Sequence, residues 1–204
     1  MSDIETIMRL GPVIPALVIE DVSHALPIAK ALVAGGITAL EVTLRTPCAI
    51  EAMQEMKQVE GAVVGAGTVL NPRDLDASLA AGAEFIVSPG LTEPLGKAAV
   101  ACGIPFLPGT ANAGDIMRGL DLGLNRFKFF PAQASGGISA LKAIAAAFGG
   151  VRFCPTGGIN QESAPEWLAL DQVICVGGSW LVPKGPPDPA AIEETARAAA
   201  ALAQ

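Results

Sequence analysis

The residue most suited to chemistry is Lys128, which lies in the run Phe127-Lys128-Phe129-Phe130-Pro131 among three phenylalanines. Apolar surroundings disfavour an ammonium ion, and a free amine attacks carbonyl carbon. A lysine at a strand end can instead reach out to water, but the aromatic neighbours favour the chemical reading. A second group lies in Leu40-Glu41-Val42-Thr43-Leu44-Arg45, where Glu41, Thr43 and Arg45 alternate and so share one face of an extended strand. A carboxylate moves protons, and a guanidinium holds a carboxylate with two parallel hydrogen bonds. An outward polar stripe is the competing reading. A carboxylate and a guanidinium on one face of an apolar strand favour a catalytic pair.

Glycine marks three further places. Gly65-Ala66-Gly67-Thr68 combines small residues with a hydroxyl; either the small side chains keep an interior open or they relieve bulky neighbours. Thr156-Gly157-Gly158 and Gly177-Gly178-Ser179 place twin glycines after two successive apolar runs. One such pair is an ordinary turn. Two in successive loops predict a phosphate site made of backbone N–H groups. Ser88-Pro89-Gly90 and Pro108-Gly109-Thr110 read as rim turns, His24 as a surface or packing residue, and Trp167 and Trp180 as packing.

These groups must be carried by short strands. β-type runs begin near Val13, Thr38, Val63, Phe85, Pro105, Phe127, Arg152 and Val173, spaced 20 to 25 residues apart and separated by Ala- and Leu-rich helical stretches. Eight such units in 204 residues predict a single (β/α)8 (TIM) barrel as one domain, 1–204. A short helix is expected over 2–10 and a final helix over 189–203. A leucine-rich solenoid lacks its repeat pattern here, and an open doubly wound sheet lacks the glycine-rich first turn, since VIPALVIED contains no Gly.

Composition narrows the function. The net charge is −7, aromatic residues make up 4%, and there is no basic stripe, which argues against nucleic-acid binding. No apolar run is long enough to span a bilayer and the first residues carry no signal-peptide pattern, so the expected compartment is the cytoplasm. Cys48, Cys102, Cys154 and Cys175 are far apart and the chain has one histidine, so no metal and no cofactor are expected. The thiols are expected to be free and mostly buried.

Taken together, EVTLRT (41–46), VGAGTVLN (64–71), SPGLTEP (88–94), FKFFPA (127–132), RFCPTGGI (152–159) and CVGGSWLVP (175–183) resemble the 2-keto-3-deoxy-6-phosphogluconate (KDPG) aldolase family. These are class I aldolases of the Entner–Doudoroff pathway, and the resemblance covers essentially the whole chain. It implies Lys128 as the Schiff-base nucleophile and Glu41 as the general acid/base. It implies Arg45 and Thr68 as ligands of the pyruvate carboxylate, and Phe130 and Thr156 as pocket lining. Gly157, Gly158, Gly177, Gly178 and Ser179 would form the phosphate cradle. It also implies a small phosphorylated 2-keto acid as substrate, pyruvate as product, and a homotrimer.

The stretch Thr110-Ala111-Asn112-Ala113-Gly114-Asp115 departs from many relatives, and Asn112 is expected to cap the following helix. Four alternatives stay open at this point. Two are aldolases, for 6-phosphogalactonate or 4-hydroxy-2-oxoglutarate substrates; the others are a phosphosugar isomerase and a non-catalytic phosphosugar-binding protein.

Overall fold

Each unit of the chain starts with a largely apolar run, and the helices that follow Asp3, Asn71, Asn112 and Asp188 are opened by a side chain that accepts from their free N–H groups. The computed structural model describes residues 3–202. In chain order the elements are α1 (Ile4–Met8), β1 (Val13–Leu17), a 3-10 turn (Val22–His24), α2 (Ala25–Ala34), β2 (Ala39–Thr43) and α3 (Ala49–Met56). Then come β3 (Val63–Gly67), α4 (Pro72–Ala80), β4 (Ile86–Val87), α5 (Glu93–Cys102), β5 (Phe106–Leu107), β6 (Gly109–Thr110) and α6 (Ala113–Asp121). The last are β7 (Arg126–Phe129), α7 (Gly137–Ala145), β8 (Arg152–Pro155), α8 (Ala164–Leu168), β9 (Val176–Gly178) and α9 (Pro189–Ala200). The expected terminal helices are α1 and α9; Ser2 and Ala203, the outer limits of those expectations, lie outside the described residues.

The strands form a curled parallel α/β array. One sheet runs β5-β4-β3-β2-β1-β9 and a second runs β6-β7-β8. All pairings are parallel, as connections through helices require. Isolated parallel bridges join Phe153 to Val173 and Thr156 to Gly177. The expected fifth strand is divided at Pro108, with β5 pairing β4 on one side and β6 pairing β7 on the other. Among the described residues the eight expected strands thus appear as nine short ones in two sheets.

Two buried clusters separate the faces. Leu40, Val42, Val64, Ala66, Ile86, Phe127, Phe129, Phe153 and Val176 point outward against the helices. Ile14, Ala39, Phe85, Val87, Leu107, Cys154 and Cys175 point inward, where Ile7 and Met8 of α1 join them. Burial fits the expectation for Cys154 and Cys175 alone; Cys48 is half-buried and Cys102 is exposed at the end of α5. Burial pushes the Cys175 thiol well above its ordinary range, and the adjacent Cys154 adds to the effect.

Helix starts follow the sequence. The Asn112 side chain accepts from Asp115 N (3.1 Å), while the Asp115 carboxylate accepts from Ala111 N (2.9 Å), so the altered 110–115 stretch still makes a closed helix start. Asn71 and Asp74 repeat the arrangement at α4. Among the described residues, no helix is long and apolar enough to cross a membrane.

Helix α1 is fastened by charge. Arg126 Nε and Nη2 donate to Glu5 Oε2 at 2.8 and 2.5 Å, and Arg9 Nε donates to Glu5 Oε1 at 2.8 Å. These guanidiniums, Arg126 foremost, hold the Glu5 carboxyl below the usual carboxylate range. A carboxyl with a lowered folded-state value adds stability above its unfolded value of about 4.3, and that stability is lost as pH falls through the folded value. For a half-exposed pair the contribution is about 1 kcal/mol or less. Glu5→Gln should therefore lower the thermal midpoint by up to about 2–4 °C at pH 7 and by less at about pH 3. Thermal melts of both proteins at the two pH values test this.

Candidate active site

The inward face of each strand changes character along its length. On β2 the inward residues are Ala39, Glu41 and Thr43; on β8 and its extension, Cys154 and Thr156; at β9, Cys175 and Gly177. The N-terminal members belong to the apolar floor, and the C-terminal members line a cavity of about 330 Å³. Strand alternation alone fixes this, because residues two apart share a face.

Lys128 and Glu41 meet in this cavity. Lys128 Nζ donates to Glu41 Oε1 at 3.3 Å, with side-chain exposures of 8% and 4%. Lys128 is thus a buried amine whose polar partner is a single carboxylate. The phenylalanines play a different part from the one expected. Phe127 packs against Phe153 and Phe129 against Trp167, both on the outward face, at centroid separations of 6.5 Å. Only Phe130 faces the amine, with its ring centroid 5.4 Å from Nζ. Lys128 is buried by its inward position on β7, not by its sequence neighbours.

Arg45, expected on the same face as Glu41, lines the same cavity. Arg45 lies past the end of β2, is exposed at the cavity mouth and, among the described residues, forms no ion pair with a carboxylate. Its guanidinium is therefore available to an incoming anion. Thr43 donates to Leu17 O at 2.7 Å and so ties β2 to β1.

The glycines of β3 are explained by their neighbours. A Cβ on Gly65 would stand 2.5 Å from the Phe85 ring, and one on Gly67 would stand 2.2 Å from Glu41 Oε1. They leave room for those two side chains; they do not keep the centre open. Thr68 follows with φ 57°, a left-handed conformation that a β-branched residue rarely adopts. It lines the cavity beside Arg45.

At the opposite end lie Thr156, Gly157, Gly158, Gly177, Gly178 and Ser179, all lining the same cavity. Gly157 and Gly158 have φ 103° and 78°, so their backbone needs glycine. A Cβ on Gly177 would fall 2.1 Å from Thr156 Oγ1, and one on Gly178 would fall 1.8 Å from the Trp180 ring. Every site residue expected from the sequence thus lines one cavity. Pro89 joins them from the expected rim turn, where Ser88 Oγ donates to Gly90 O at 2.6 Å. Ala16 and Ile159 also line the cavity and were missed. Ala16 carries no polar signal; only its parity with Ile14 on β1 would have placed it inside.

Three comparisons bear on this geometry. Residues 4–195 match the family model "KDPG and KHG aldolase". The chain belongs to that family. It is 62% identical over 202 residues to the 2-dehydro-3-deoxy-phosphogluconate aldolase of Zymomonas mobilis, covering 99% of this chain and 97% of the relative. The crystal structure of the Z. mobilis ZM4 2-keto-3-deoxy-6-phosphogluconate aldolase with 3-phosphoglycerate superposes with a TM-score of 0.98 at 61% identity, covering 99% of this chain and 97% of that one. The Legionella pneumophila KDPG aldolase, solved with pyruvate captured at low pH as a covalent carbinolamine intermediate, gives a TM-score of 0.95 at 46% identity, covering 98% and 99%. A carbinolamine is what an amine forms on adding to a ketone.

The contact between Gly67 and Glu41 gives a direct test. In Gly67→Ala the new methyl displaces the carboxylate from Lys128. Aldol cleavage, measured where the variant remains folded, should slow on the order of 100-fold if Glu41 moves the proton, and the thermal midpoint should fall as well, because the pair being separated is buried. A steady-state rate near that of the unaltered protein would show that the position of Glu41 does not matter.

Proposed function

We propose that this chain is a metal-independent class I aldolase that cleaves 2-keto-3-deoxy-6-phosphogluconate to pyruvate and glyceraldehyde 3-phosphate. The observation that carries the reading is the buried Lys128–Glu41 pair, 3.3 Å apart, in a cavity with a cation at one end and backbone donors at the other. We infer in addition that the whole chain is one domain and that its strands close into a (β/α)8 barrel. Only Pro108 separates β5 from β6, and the Thr156–Gly177 bridge links β8 to β9. A homotrimer in the cytoplasm, without cofactor, completes the proposal.

The Lys128 amine adds to C2 of the keto acid; one proton from its nitrogen and one from the protonated Glu41 carboxyl convert the C2 oxygen to water, which leaves as the iminium forms. Glu41 then takes the proton of the C4 hydroxyl. The C3–C4 bond breaks, its electron pair enters the iminium as an enamine, and C4 becomes the aldehyde of glyceraldehyde 3-phosphate. Glu41 returns the proton to C3. Water hydrolyses the pyruvate iminium, which regenerates the amine and returns a proton to Glu41. The iminium is the electron sink, so the reaction needs no Lewis acid. Arg45 and Thr68 would hold the carboxylate during these steps, and Phe130 and Thr156 would flank the reacting carbons.

The phosphate end contains no lysine or arginine within 156–160 or 177–181. Its recognition would rest on the N–H groups of Gly157, Gly158, Gly177, Gly178 and Ser179 and on the Ser179 hydroxyl. Gly178 is a poor place to probe this, because Trp180 fills the space beside it. Ser179 is exposed and tolerates change. Ser179→Asp should raise KM for the phosphorylated keto acid roughly 10- to 100-fold through like-charge repulsion. Trapping of pyruvate by borohydride should be unchanged. The same assay, run on the unaltered protein, should favour the gluconate-derived substrate over its C4 epimer. Faster cleavage of the epimer would reassign the substrate, and equal loss of cleavage and trapping in Ser179→Asp would place the phosphate elsewhere.

A further inference from the structure

The loop after β8, and the end of β9 with the turn that follows it (the second glycine loop), come from segments about twenty residues apart, and on the reading above both present N–H groups to one anion. Each is fixed by contacts outside the cavity lining. On its near side the first loop is stitched to the segment after β7: Ala132 N donates to Thr156 O at 2.8 Å and Gln133 N to Gly157 O at 3.0 Å. Farther along, Asn160 Oδ1 accepts from Glu162 N and Ser163 N at 3.1 and 2.9 Å, which closes a tight turn and sets the direction of Gln161. Gln161 Oε1 then accepts from Trp180 Nε1 at 3.0 Å. Trp180 is two residues past Gly178, and its ring folds back onto that glycine, where a Cβ would stand 1.8 Å from Cζ3. The indole therefore backs the second loop, and its N–H reaches across to the first.

We infer that Gln161 and Trp180 are positioning residues that clasp the two glycine loops at the spacing a phosphate group requires, and so set the preference for a phosphorylated over an unphosphorylated 2-keto-4-hydroxy acid. The inference rests on the phosphate end proposed above. Neither residue lines the cavity, so each acts through the loop it holds. The clasp is far from the Lys128 end, which is built from β2, β3 and β7. Loosening it should change binding of the phosphorylated end and leave imine formation alone.

The test uses Trp180→Phe, which keeps a ring over Gly178 and removes only the donor, Gln161→Met, which removes only the acceptor, and the double variant. Three quantities are measured on each full-length protein: calorimetric affinity for glycerol 3-phosphate, KM and kcat for the phosphorylated keto acid, and borohydride trapping of pyruvate. Loss of one hydrogen bond should weaken glycerol 3-phosphate binding and raise KM roughly 2- to 10-fold in each single variant. The double variant should be no worse than either single, because both remove the same bond. Trapping and kcat should stay at the level of the unaltered protein.

Unchanged affinity and KM would overturn the clasp, as would additive losses in the double variant or a parallel fall in trapping. Failure of the unaltered protein to bind glycerol 3-phosphate would also overturn it. If that protein binds glycerol 3-phosphate with the predicted sensitivity but does not cleave the keto acid, the clasp stands and the proposed reaction fails.

Discussion

Lys128 and Glu41 face each other at 3.3 Å inside the strands, almost out of reach of water, and much of the upper interior is arranged around them. Burying two opposite charges is costly, and leaving either one alone costs about 3–5 kcal/mol. Such a pair contributes little to stability that apolar side chains could not, so its presence in a cavity points to chemistry. Gly67 is small because the carboxylate occupies the space beside it, and the apolar floor of Ile14, Ala39, Leu107, Cys154 and Cys175 lies beneath. The amine and its carboxylate partner come from β7 and β2, which lie in different sheets. Curling the array is what brings them together.

The cavity divides the work between two ends. Arg45 and Thr68 lie beyond β2 and β3, where a guanidinium with no carboxylate partner suits a small organic acid. Gly157 and Gly158 beyond β8, and Gly177 and Gly178 at the end of β9, line the other end, where neutral backbone donors would suit a phosphate group. An acidic chain of net charge −7 can thus hold a substrate with two anionic ends while placing only one arginine and one lysine in the cavity.

Much of this was legible in the sequence. The positions of the strands followed from apolar runs bounded by turn residues, and every expected site residue lines the cavity. What escaped was direction. Lys128 stood out because of Phe127 and Phe129, yet those rings point to the opposite face, and the partner that matters is 87 residues away. Glu41 and Arg45 were expected on one face because they share parity, and both line the cavity although Arg45 lies past the strand end. The glycines of β3 could be read as open space or as steric relief; their neighbours, Phe85 and Glu41, decide for relief. Ala16 and Ile159 were invisible, since a small or apolar side chain gives no sign of facing a site. The break at Pro108 could not be anticipated either, because proline is also compatible with a strand edge.

The claim on which all of this turns is that Lys128 is the nucleophile. The direct measurement is to add pyruvate and borohydride, determine the mass of the intact protein, and locate the modification by peptide mapping. One reduced pyruvate adduct per chain, on the peptide containing Lys128 and absent from Lys128→Ala, is the predicted result. No gain in mass, or an adduct that persists in Lys128→Ala, would contradict it.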